Sequence, residues 1–217
     1  MNILLVSAHP DDMEIGMGGT AAKLAANGAA LTSIVLTDGR RSPTPFRVDP
    51  DSLAELRQEE ARRAGQVLGI QEVLFFNLPD LKSTENFQNA RDRLQETIAR
   101  INPAEIYTLH PQLDRHASHQ LAGNAVLEAV KGQPNLVVWA YEVWGLFNQW
   151  DRFEDISSFI SKKIQAISEH KSQIACVPYS EGVTGLNRWR AIFADPQQSA
   201  IQAAFAEVFI RYPVSGS

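Results

Sequence analysis

The chain has 217 residues, 44% hydrophobic and 21% charged, with a formal net charge of −5. A chain of this length can bury a sizeable core as one domain, so residues 1–217 are read as a single unit, and the acidic balance gives no reason to expect nucleic acid or an anionic membrane as partner. No apolar run approaches the roughly 20 residues of a membrane-spanning helix, the start MNILLVSAHPDD lacks the marks of a signal peptide, and Cys176 is the only cysteine, so the expectation is a cytoplasmic protein without disulfides.

Asn2 to Ala8 is an apolar run that ends in a polar cluster and reads as a buried strand. A small-residue helix is predicted near Gly18 to Asn27, stopped by Gly28, and Leu31 to Thr37 is the next strand. After a loop rich in Pro, Arg and Ser, a helix near Ser52 to Leu68 closes at Gly69. Glu72 to Asn77 is a third strand, residues near Asn86 to Ile101 a helix, and Ala104 to Leu109 a fourth strand. His116 to Lys131 reads as a helix and Leu136 to Glu142 as a fifth strand. Beyond it, a helix is expected near Ser157 to Lys171, a loop-rich stretch from Pro178 to Pro196, and a closing helix near Ala200 to Phe209. Nearly continuous apolar strands alternating with helices indicate a parallel sheet covered on both faces. The predicted fold is α/β: a Rossmann-like, doubly wound, mostly parallel sheet with an irregular C-terminal segment.

Such sheets bind ligands beyond the carboxyl ends of their strands. The first strand runs into His9-Pro10-Asp11-Asp12, and the fourth into His110 and then Asp114-Arg115-His116-Ala117-Ser118-His119. Four of the five histidines fall in these two segments. Histidine and carboxylate from separate strand ends are the raw material of a zinc site. His9 and Asp12 can face one ion across the proline turn, and Asp11 between them points elsewhere, free to act on a water. His116 and His119 share one face at a helix start. His110 reads as a strand-end histidine without a direct role. Taken singly, His-Pro-Asp-Asp could be a turn with an Asp cap, and the two helix histidines ordinary surface residues. It is the coincidence of both clusters at strand ends that points to a site. The glycines Gly16, Gly18 and Gly19 do not have the G-x-G-x-x-G spacing of a dinucleotide site, and read as close helix-to-sheet packing.

The segment from Ala8 to Gly19, A-H-P-D-D followed by E-x-G-x-G-G, resembles the signature of the LmbE-like, or PIG-L-type, deacetylases. The similarity extends through Thr37-Asp38-Gly39, Arg57-Gln58-Glu59-Glu60, Leu78-Pro79-Asp80, the Asp114 to His119 segment and His170-Lys171-Ser172-Gln173. The resemblance implies a zinc-dependent hydrolase that removes acetyl from an N-acetylated amino sugar or related small-molecule amide. It implies His9, Asp12 and His119 as metal ligands, Asp11 as general base, and His116 as oxyanion stabiliser or proton donor. Arg57, Asp80 and Asp114 would lie on the substrate side.

One departure stands out. The family commonly reads His-Pro-Asp-His where this chain has His116-Ala117-Ser118-His119. The missing aspartate would have partnered the catalytic histidine, so His116 is expected to be a weaker acid-base group unless Asp114 substitutes for it. Alternatives are a metallohydrolase of another amide or ester, and a catalytically weak zinc-containing sugar-binding protein. Fe2+ or another divalent ion could replace zinc. Trp139, Trp144 and Trp150 at or beyond the fifth strand could stack on a sugar, pack internally, or form a homo-oligomer contact.

Overall fold

A computed structural model describes residues 1–193 and 203–213. Strands and helices alternate as β1 (Asn2–Ser7), α1 (Asp12–Ala26), β2 (Ala30–Thr37), α2 (Pro50–Leu68), β3 (Glu72–Leu78), α3 (Thr84–Ile101), β4 (Glu105–Leu109), α4 (Ala117–Ala129) and β5 (Val137–Tyr141). There follow β6 (Arg152–Asp155), α5 (Ile160–Glu169), α6 (Lys171–Ile174), α7 (Tyr179–Phe193) and β7 (Ala206–Tyr212). The strands form a seven-stranded sheet in the order β3-β2-β1-β4-β5-β7-β6, with helices packed against it. The first five strands are parallel, and β7 runs antiparallel to both β5 and β6. The mixed α/β architecture is the one expected.

Local chemistry sets several boundaries. Asp49 caps α2 by accepting from the backbone N–H groups of Asp51 and Ser52, Pro50 occupies the first turn, and Gly69 ends the helix at φ +82°. Ser83 caps α3 through the Asn86 N–H. Helix α1 begins at Asp12, earlier than expected, and passes through its glycines with a kink at Met17. These glycines let the helix lie against its neighbours: a Cβ on Gly16 would collide with the Tyr141 ring, and one on Gly19 with Ile156. The packing reading of this glycine run therefore holds.

The C-terminal third needs correction. The expected closing helix near Ala200 to Phe209 lies partly outside the described residues, and its remainder is strand β7 from Ala206 onward. The run Val208-Phe209-Ile210 suits a strand inserted between two others, and Phe209 stacks edge-to-face on Tyr107 at 5.4 Å. Strand β6 gave no apolar signal because all four of its residues are only half-buried. The segment expected as loop from Pro178 holds α7, whose glycines at 182 and 185 suggested turns. Tertiary bonds hold it instead: Asn187 donates to the Ala206 carbonyl, and Arg190 pairs with Glu142 and donates to the Phe147 carbonyl.

Strand β7 is also tied to α1. Glu207, inside the fold, accepts from the Gly19 and Thr20 N–H groups and from Lys163 Nζ at 2.6 Å. The Glu207 carboxylate and the two backbone N–H groups thereby have partners, as burial demands. Among the described residues, no helix is long and apolar enough to cross a membrane.

Candidate active site

The sheet order places β1 beside β4, and the chain leaves these two strands toward opposite wings of the sheet. That is the switch point at which open α/β sheets form a crevice. The segments after β1 and β4 therefore converge there, carrying the two histidine-carboxylate clusters.

Their convergence is close. Nε2 of His119 lies 3.1 Å from Oδ1 of Asp12 and 3.2 Å from Nδ1 of His9, and that nitrogen lies 3.4 Å from Oδ2 of Asp12. Ligand atoms held tetrahedrally at zinc bond lengths of 2.0–2.1 Å would stand about 3.3 Å apart. His116 brings a further ring nitrogen, so that His9, His116 and His119 form a potential metal-binding group with one ligand atom each, all within 4.8 Å. Burial disfavours charge on His119, yet the Asp12 and Asp114 carboxylates raise its pKa to about 10. Burial likewise works against ionised Asp12, but His119 and His9 hold it well below the usual carboxylate range. This donor set calls for positive charge at its centre, and its imidazole and carboxylate groups suit a divalent ion.

Asp11 stands apart from the donors. It is 6% exposed and its backbone, at φ 144°, occupies a region that side-chain-bearing residues rarely adopt. Strain of that kind collects at functional sites. Burial raises the Asp11 pKa even though Arg57 opposes the shift.

Arg57 is 1% exposed, and its guanidinium reaches Asp11 Oδ1 at 3.1 Å, the Pro10 carbonyl at 2.8 Å, the Gly39 carbonyl at 3.2 Å and the Ser42 hydroxyl. It borders the pocket, but these partners bind it to the loops after β1 and β2. Asp114 lies behind the His119 ring. It is 3% exposed, its Oδ2 lies 3.1 Å from His119 Nδ1, and it accepts from the His116 and Trp144 N–H groups. It thus backs His119 and does not replace the carboxylate missing beside the His116 ring. Burial, then His9 and His119, lowers the His116 pKa.

A pocket of about 300 Å³ opens over this cluster. Asp80 lines it from the β3 end, with its carboxylate accepting from the Lys82 N–H and facing Arg41. Ser118 and Trp144 line it too. The other candidate tryptophans are otherwise engaged: Arg152 lies over Trp139, and Arg190 over Trp150. His110 accepts from the Gln112 and Leu113 N–H groups and so holds its own turn. Sequence reasoning missed Tyr179 and the pairing of His170 with Glu14 at 3.6 Å. Gln173, which also lines the pocket, was visible only as part of the His170 to Gln173 stretch.

A family model described as PIG-L, GlcNAc-PI de-N-acetylase, matches residues 4–130, more than half of the chain. The diacetylchitobiose deacetylase of Thermococcus kodakarensis is 29% identical over 186 residues, a match that covers 79% of this chain and 69% of that protein. Among solved structures, the N,N'-diacetylchitobiose deacetylase of Pyrococcus horikoshii has a TM-score of 0.81 at 23% identity, covering 98% of this chain and 84% of that one. The 4-carboxy-2-hydroxymuconate hydratase GalB of Pseudomonas putida KT2440 also has a TM-score of 0.81, at 24% identity, covering 100% and 98%. These two structures establish the fold alone, and the fold serves more than one reaction. The reaction of this chain has to be argued from its site.

Proposed function

This chain belongs to the PIG-L, GlcNAc-PI de-N-acetylase family, and from that premise we propose that it is a zinc-dependent hydrolase of an N-acetylated amino sugar or a related small-molecule amide. The observation that carries the reading is the triangle of His9, Asp12 and His119 donors with the Asp11 carboxylate beside it. The name of the 29% identical relative, a diacetylchitobiose deacetylase, supports an amino-sugar substrate.

His9, Asp12 and His119 would hold the metal, which when bound supplies Lewis-acid polarisation of the acetyl carbonyl and an acidified water. Asp11 takes the proton from the attacking water. Burial suits it to this role by raising its proton affinity, while Arg57 fixes the carboxylate in place. Water oxygen bonds to the acetyl carbon, the carbon–nitrogen bond breaks, and acetate and a free amine leave. His116, exposed at the pocket and lined up with the donor cluster, stabilises the developing oxyanion or protonates the leaving nitrogen. The polar wall that includes Arg40, Arg41, Asp80 and Lys82 suits sugar hydroxyls. Part of the pocket comes from beyond residue 130, through Trp144, Gln173 and Tyr179, so substrate choice rests partly on chain that the family model does not match.

The test pairs metal content with acetate release from a panel of N-acetylated amino sugars, for wild type and Asp11→Asn. About one zinc per chain, with turnover lost and metal kept in the variant, is the expected result. Loss of the metal along with turnover would make Asp11 a ligand. A metal-free protein, purified without chelator, would sink the reading.

A further inference from the structure

A second cavity, of about 630 Å³, lies against the first. The two share Ile15, Trp144 and Tyr179 as a common wall. Trp144 and Tyr179 meet edge-on there, with ring centroids 6.1 Å apart. The chemistry changes abruptly across that wall. On one side are Arg40, Arg41, Asp80 and Lys82. On the other, the groove is walled by Val143 and Leu146 after β5 and by Val177, Val183 and Leu186 in and before α7.

Among the described residues that wall it, the groove offers no cation. Its inner carboxylate, Glu142, is already satisfied by Arg190 and the Phe147 N–H, and Glu181 stands at the exposed rim. Leu146 at 57% and Trp144 at 46% exposure leave apolar surface open at the mouth. Its volume is that of a small-molecule site, and such sites are mostly apolar with a few placed polar groups.

We propose that this groove is a subsite for an uncharged, apolar aglycone, so that the substrate is an N-acetylated amino sugar carrying an alkyl or aryl group. Continuity with the polar pocket argues for one molecule spanning both. The acyl end does not need the groove, because an acetyl group is too small to fill it. A phosphorylated or carboxylated aglycone would meet two carboxylates, Glu142 and Glu181, and no cation among the described residues that wall the groove. The identity of the sugar rests on the deacetylase reading; the apolar preference does not.

The experiment measures calorimetric affinity of the full chain for the hexyl and methyl glycosides of glucosamine, the amine products, and for a 5-carboxypentyl glycoside. Hexyl should bind at least about tenfold tighter than methyl, with no gain for the carboxylated chain. In Leu146→Asp and Leu186→Asp variants the hexyl-to-methyl ratio should fall toward one. The ratio guards against misfolding, since loss of fold weakens both ligands alike. Equal affinities in wild type, or a ratio untouched in both variants, overturn the proposal. So does a dimer in sedimentation that buries Trp144 and Leu146 and is indifferent to hexyl glycoside, which would give the groove to a second copy of the chain. If hexyl preference holds while no N-acetylated glycoside releases acetate, the groove stands and the deacetylase reading falls.

Discussion

Asp114 Oδ2 stands 3.1 Å from Nδ1 of His119, while Nε2 of the same ring faces Asp12 at 3.1 Å. One imidazole thus joins the donor cluster to a buried carboxylate behind it, an arrangement that fixes ring orientation and raises ligand basicity. Asp114→Asn should weaken metal binding by about 10–100-fold, read by chelator competition, with an unchanged circular dichroism spectrum. Unchanged affinity would return Asp114 to the substrate side.

Arg57 distinguishes positioning from substrate binding. Its guanidinium is held by Asp11, Pro10, Gly39 and Ser42, and lysine cannot reproduce that fork. Arg57→Lys should lower kcat by about 10–100-fold through misplacement of Asp11, with little change in KM. A rise in KM at constant kcat would instead mean that Arg57 holds the sugar.

Ser118 lines the pocket at the position where the resemblance leads one to expect aspartate, and among the described residues no other carboxylate pairs with the His116 ring. Ser118→Asp should speed acetate release by about tenfold, the equivalent of one pKa unit of added support. An unchanged rate and pH profile would show that His116 works without a carboxylate partner.

Buried His170 makes stability depend on pH. Burial opposes its charge and Arg57 adds to that opposition, but Glu14 and Asp11 together raise the pKa above its ordinary value. A folded pKa above the unfolded one gives stability that is full below about pH 6.5 and is lost as pH rises through the folded value. The urea-unfolding advantage of wild type over His170→Gln should therefore be largest near pH 6 and shrink toward pH 9. A pH-independent difference would mean that His170 is neutral in the fold.

Lys163 and Glu207 are 0% and 2% exposed. Lys163→Met strands a buried carboxylate and should cost about 3–5 kcal/mol by urea denaturation. Adding Glu207→Gln should recover part of that loss, since it removes the stranded charge while one carbonyl oxygen still accepts from the backbone N–H of Gly19 or Thr20. Equal stability of the single and double variants would argue against the pairing as its cause.

Much of the first five strands, and the segments that bring His9, Asp11, Asp12, His116 and His119 together, can be read without coordinates. Apolar runs mark β1 and β4, and a strand's carboxyl end delivers whatever residue follows it to the crevice. The expected closing helix failed because Ala206 to Tyr212 finds its place by pairing with β5 and β6, contacts distant in the chain. Helix α7 escaped notice for a similar reason, since its bonds to Glu142, Phe147 and Ala206 outweigh two glycines.

The sequence by itself determined the parallel part of the sheet and which segments leave β1 and β4 toward the crevice, because strand periodicity and strand-end position are local properties of the chain. Only the tertiary structure decided what each side chain does there. Asp114 turned to the back of the His119 ring, Arg57 was committed to Asp11, and Trp144, after β5, met Tyr179 of α7 to divide a polar pocket from an apolar groove. Those outcomes depend on the direction of side chains from separate elements, which spacing along one chain does not encode.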